Sequence, residues 1–193
     1  MCTLSCAARE AMVARFLAEY PGAGRPGGGE HPALRGCEEV PWAELTGCTA
    51  QIPALLHGLL DPAAGHEAQR VLTNTLMSHM LLLGPATPAA LPFLLRLAVE
   101  PELPARGPLL GFLGFAAELS RPARPGEEDF WFSGDEQPEG ERCRAAFAAN
   151  AHLVRELVDD AGLPDEVLDS ELRADLRLLA GLPDPAAASP TTA

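Results

Sequence analysis

The sequence predicts an all-α fold: a short α-solenoid of about three antiparallel helix pairs behind an N-terminal capping helix. Three observations predict it. Hydrophobic residues make up 47% of the 193, chiefly Ala and Leu, which are strong helix formers, while aromatics are only 5%. Few stretches show the β-branched alternation of a strand. The chain also nearly repeats itself: IPALLHGLLDP at 52–62 returns as LPFLLRLAVEP at 91–101, 39 residues further on. The match pairs Ile52 with Leu91, Pro53 with Pro92, Leu55 with Leu94 and Leu56 with Leu95. It ends on an acid before Pro, at Asp61-Pro62 and Glu100-Pro101. A period of about 40 carried by two helical segments marks a stack of helix pairs.

Taken in order, residues 1–20 form the capping helix, with Met12, Val13, Phe16, Leu17 and Tyr20 on one side. Residues 21–40 are expected as a Gly/Pro-rich linker, most flexible over 21–36. The repeat domain spans 41–181. It opens with a short turn, Pro41-Trp42-Ala43-Glu44-Leu45, and Thr49 is placed to cap the next helix. The first pair is a helix over 50–60, a turn at Asp61-Pro62, and a partner over 65–83 that Gly84 ends as a left-handed cap would. The second pair covers 88–99 and 106–119, with Pro92 tolerated in the opening turn and Gly107, Gly111 and Gly114 either weak points or packing devices.

Residues 120–140 break the period as an acidic insert. Beyond it LVRELVDD at 153–160 lines up with 94–101 at an offset of 59, one repeat plus about 20 inserted residues. A third pair is expected over 139–160 and 165–180, stopped by Gly181, and 182–193 reads as a disordered tail.

Charge narrows the partners. The formal net charge is −13 and every base is Arg. A negative field of that size opposes phosphate backbones and anionic membranes, so neither nucleic acid nor membrane is an expected partner. Residues 71–95 carry no formal charge, but Gly84-Pro85, Pro88 and Pro92 interrupt them, so two buried helices and a turn explain them better than a membrane span. Five Cys in odd number, without a C-x-x-C pair, fit reduced thiols. With no signal-peptide pattern at the start, the expected location is the cytoplasm.

Few residues point to chemistry. His57, His66 and His79 are expected on successive helices, but they make no H-E-x-x-H or paired ligand spacing, and no Cys stands at metal-binding spacing from a His. Gly27-Gly28-Gly29 follows no buried strand and lacks a P-loop Lys, and Ser133-Gly134-Asp135 lacks the setting of a nucleophile elbow. No catalytic residue, cofactor site or metal site is therefore expected, and no enzyme activity.

Two helices per 40 or so residues, a Pro in the first helix, an acid at the inter-helix turn and an Arg early in the second (Arg70, Arg106) resemble HEAT-type repeats. The run from Trp42-Ala43-Glu44-Leu45 through SHMLLLGPATPAALPFLLRLA is similar to small HEAT-like proteins common in GC-rich Gram-positive bacteria. The Gly-rich entry and the acidic insert depart from that pattern. The resemblance implies partner binding on a curved helical surface, by a scaffold, adaptor or inhibitor. A small-molecule binder or accessory enzyme component, with His57 or His79 as a polar group in the groove, is the alternative.

The insert supplies the expected partner-binding residues: Glu127, Glu128, Asp129, Phe130, Trp131 and Phe132. Carboxylates keep such a run in water while exposed aromatics offer anchor area to another protein, a basic one being compatible with the charge. The competing structural role for these aromatics is to fold back over the groove between the second and third pairs.

Overall fold

The computed structural model describes residues 4–23, 31–47, 49–79, 82–122 and 138–183. The expected partner-binding run Glu127–Phe132 lies outside the described residues, as do Gly27–Gly29, Ser133–Asp135, Cys2, Cys48 and residues 184–193 of the expected tail.

The described chain is all-α apart from one small hairpin. In order it forms α1 (Cys6–Glu19), two 3-10 turns (Pro32–Leu34 and Cys37–Glu39), α2 (Trp42–Thr46), α3 (Ile52–Gly58) and α4 (Gly65–Leu76). Strands β1 (Met77–His79) and β2 (Leu82–Leu83) follow, then α5 (Thr87–Ala98), α6 (Arg106–Ser120), α7 (Pro138–Ala149), α8 (Ala151–Asp159) and α9 (Ser170–Leu179). Helix α3 packs on α4, α5 on α6, and α8 on α9. Between these pairs α4 meets α6, α5 meets α8 and α6 meets α9, while α7 lies against α5 and α6. Helix α1 lies over α4, placing Val13 and Phe16 in the core.

The repeated segments bury matching apolar positions. Ile52 and Leu91 are buried, as are Leu55 and Leu94, Leu56 and Leu95, and Leu59 and Ala98. The paired prolines Pro62 and Pro101 are both exposed. Asp61 closes the first turn by accepting the Ala63 and Ala64 amides on Oδ1, at 2.8 and 3.1 Å. Asp160 does the same for the third, accepting the Gly162 amide at 2.8 Å. A carboxylate at a turn satisfies amides that the following helix leaves unpaired.

Helix α4 is shorter than the expected 65–83. It stops at Leu76, and Met77–His79 pairs antiparallel with Leu82–Leu83, Met77 opposite Leu83. The cause is a set of distant partners. The Arg9 guanidinium on α1 donates from Nη2 to the carbonyls of Met77 and Ser78, at 2.7 and 3.1 Å. The Leu76 carbonyl accepts the Gly84 amide and the Thr87 hydroxyl, each at 2.7 Å. An extended chain allows all four hydrogen bonds, and a continued helix would not. Gly84 is accordingly no left-handed cap, since only Gly36, Gly47 and Gly181 have positive φ among the described residues. It is needed for close approach, because a Cβ there would stand 2.3 Å from the Leu76 carbonyl oxygen. His79 lies on β1, not on a helix.

The expected single helix over 139–160 is two, broken at Asn150. Its side-chain amide donates to the Ala146 carbonyl at 2.8 Å, and its backbone leaves helical geometry at φ −111°. Asn competes locally for backbone partners in this way. The final stop is as expected: Gly181 has φ +64°, its amide reaches the Leu178 carbonyl at 3.1 Å, and the Leu182 amide reaches Arg177 at 2.8 Å. Where described, the expected linker is built into the core. Ala33, Leu34 and Cys37 are buried, and the turn at Pro32–Leu34 packs on α5.

Candidate functional site

Two positions that the repeat makes equivalent, His57 on α3 and Arg96 on α5, converge on the 31–40 segment. Both lie on the first helix of a pair, and the 39-residue offset superposes them. The His57 imidazole is 9% exposed, and its Nε2 stands 3.9 Å from Oε1 of Glu38. Arg96 donates from Nη1 to the Arg35 carbonyl at 3.3 Å and from Nε to the Pro92 carbonyl at 3.0 Å. Its guanidinium lies 4.7 Å from the centre of the Phe93 ring, a cation–π distance. Burial lowers the Arg96 pKa from its ordinary value, and the neighbouring Cys37 acts in the opposite direction.

Local sequence fixes Cys37 between these groups. Gly36 takes φ +82°, which lets the chain turn sharply into Cys37–Glu39. Trp42 Nε1 then donates to the Cys37 carbonyl at 2.7 Å, while its indole packs edge-on to Phe93 with ring centres 6.1 Å apart. The buried Trp42 thus anchors the turn. Cys37 is itself buried. One sulfur, nitrogen or oxygen donor from each of Cys37, Glu38 and His57 lies within 4.8 Å of the others.

Ligand spacing along the sequence does not disclose this constellation. Cys37 and His57 are 20 residues apart on different elements, and only the packed 31–40 segment brings them together. The repeat offset is the signal that could have found it, since it predicts that residues 57 and 96 share a direction. His57 therefore has the neighbouring carboxylate that a functional role would require, whereas His79 is half-buried in the hairpin and His66 and His152 are exposed. Nδ1 of His31 is used locally, accepting the Ala33 amide at 3.3 Å.

A second feature is an open groove of about 370 Å³ between α6 and α9. Its walls carry Glu118, Asp169, Glu171 and Asp175 against one base, Arg121, over Phe115 and Leu172. Arg121 Nη1 stands 3.7 Å from Asp175, and Asp169 caps α9 by accepting the Leu172 amide at 2.8 Å. Gly114 makes the helices' close approach possible, because a Cβ there would lie 2.5 Å from Leu172 Cδ2. The groove adjoins the start of the acidic insert at Arg121. Gly140, just inside α7, faces the Leu119 carbonyl, and Arg144 donates to the Ser120 carbonyl at 2.7 Å. Leu119–Ser120 before the break and Gly140–Arg144 after it thus lie together.

No protein-family model, curated protein or solved structure matches this chain. No described helix is long and apolar enough to cross a membrane.

Proposed function

We propose that the chain is a short α-solenoid of the HEAT type, and that it acts as a non-catalytic scaffold, adaptor or inhibitor by binding another protein, a basic one. One observation carries the reading: carboxylates line the α6–α9 groove, and Arg121, at the start of the acidic, aromatic insert, stands in its wall. The partner's basic side chains enter the groove over Phe115 and Leu172. Phe130, Trp131 and Phe132, outside the described residues, supply apolar anchors to the same partner. Charge of one sign steers such an encounter, and aromatics supply most of the retained affinity. The equivalent burial of α3 and α5 supports the repeat stack as the frame that holds this face.

The test is a pull-down with the full chain and two variants. One carries Trp131→Ala with charge reversal at Glu127–Asp129, and the other carries Glu118→Lys with Glu171→Lys. Each should weaken capture of the same partner at least tenfold without moving Tm, and binding should fall as salt is raised. Capture unchanged in both variants would show that this face does not bind the partner. The other reading, a small-molecule or accessory-enzyme role, draws on His57 beside Glu38.

A further inference from the structure

We propose that Cys37, Glu38 and His57 bind a divalent transition-metal ion, Zn²⁺ foremost, which fastens the 31–40 segment to α3. The donor set is a thiolate, an imidazole and a carboxylate. That mixture suits a borderline-soft ion and does not suit Mg²⁺ or Ca²⁺, which take oxygen. Tetrahedral bonds of about 2.0–2.3 Å put donor atoms roughly 3.3–3.7 Å apart. The His57–Glu38 separation is 3.9 Å and all three donors lie within 4.8 Å, so binding requires them to close by about an ångström or less. The Glu38 side chain, 70% exposed, has the freedom to make that movement, and it opens the route by which the ion enters.

The other two ligands are already held. The Cys37 backbone is fixed by Gly36 before it and by the Trp42 indole on its carbonyl, and the His57 ring is nine-tenths buried near the end of α3. Preset ligands lose little freedom on binding. The charge balance favours a cation: with Cys37 as thiolate, the charges of Cys37, Glu38 and Arg96 sum to −1. The thiolate is the form that ligates. On binding, the Cys37 Sγ–H proton passes to solvent and an Sγ–metal bond takes its place. Three protein donors leave a fourth position for water or for an outside group.

The experiment uses the full chain, stripped with chelator and titrated with Co²⁺ and then Zn²⁺. One equivalent of Co²⁺ should give a thiolate-to-cobalt charge-transfer band with tetrahedral visible bands, and Zn²⁺ should abolish them. Cys37→Ser should remove the charge-transfer band, and Glu38→Gln should weaken binding at least tenfold. Because Glu38 is exposed, that variant keeps the fold and remains informative if Cys37→Ser does not fold. Cys6→Ser and Cys143→Ser should leave the band in place. Zn²⁺ should raise the Tm of the wild type and not that of His57→Gln. Absence of the band, its survival in Cys37→Ser, its loss in Cys6→Ser, or unweakened binding in Glu38→Gln overturns the assignment.

Discussion

Arg106 and Asp160 lie 54 residues apart and are joined by a 2.8 Å contact from Nη2 to Oδ2, while Nε of the same guanidinium donates to the Ala98 carbonyl at 2.8 Å. One side chain at the start of α6 therefore holds the end of α5 and the turn after α8. Arg70 does no such work. It pairs with Glu67 on its own exposed helix face, where an ion pair contributes little. The two arginines that the sequence presents as counterparts differ by this one property.

Arg106→Met should destabilise the protein by about 1–2 kcal/mol, since it leaves a carbonyl and a carboxylate without their donor. Arg106 and the Gly162 amide hold the Asp160 carboxyl below the usual carboxylate range. A carboxyl depressed on folding contributes stability that is fully present above the unfolded value of about 3.9, and that stability fades as the pH falls through the lower folded value. Asp160→Asn should flatten this acid limb. Thermal melts between pH 6 and pH 2 for wild type and both variants read the effect. A variant whose acid limb matches wild type would show that the pair carries no linkage.

Three glycines should respond differently to alanine. At Gly111 nothing stands within 4 Å of a new Cβ, so Gly111→Ala should stabilise α6 by about 0.5–1 kcal/mol. At Gly114 the obstacle is the end of the Leu172 side chain, which can rotate aside, so a small loss is expected. At Gly84 the obstacle is the backbone carbonyl of Leu76 at 2.3 Å, which cannot move without breaking the hairpin. Gly84→Ala should therefore cost about 2–3 kcal/mol. Denaturant midpoints for the three variants test the order, and equal midpoints would contradict the close approach at Gly84.

Periodicity made the frame legible. The bounds of α5 and α6 fall within a residue of expectation, because apolar residues at helical spacing face one core throughout. Gly181 was readable as a stop because Gly accepts positive φ at little cost. Met77–Leu83 was not readable. Its uncharged run of Met and Leu around Ser78 and His79 suits helix and strand alike, and Arg9 and Thr87, which decide between them, act from other parts of the chain. The Cys37–Glu38–His57 cluster was hidden for a related reason. Its members meet only because a Gly/Pro-rich stretch, expected as a linker, buries Ala33 and Leu34. Composition describes what such a stretch can do when free, and a neighbouring helix surface overrides it.

Cys143 gives the last prediction, and it separates buried thiols from reactive ones. It sits on α7 facing α6, fully buried, and burial pushes its pKa up to about 12. A hydrogen bond with Ser120 opposes this, and the Glu139 charge adds to it. At pH 8 about one part in ten thousand is thiolate, so alkylation requires α7 to open away from α6. Cys6 is exposed on α1 and carries no such barrier. In the native full chain at pH 8, iodoacetamide should modify Cys6 readily and leave Cys143 intact until denaturant is added, as mass spectrometry of the peptides would read. The stability contributed by this raised pKa is fully present below the free-thiol value of about 8.5 and is lost as the pH climbs through about 12. Cys143→Ala should remove that alkaline limb. Modification of Cys143 at the pace of Cys6 in the folded protein would mean that α7 does not stay packed on α6.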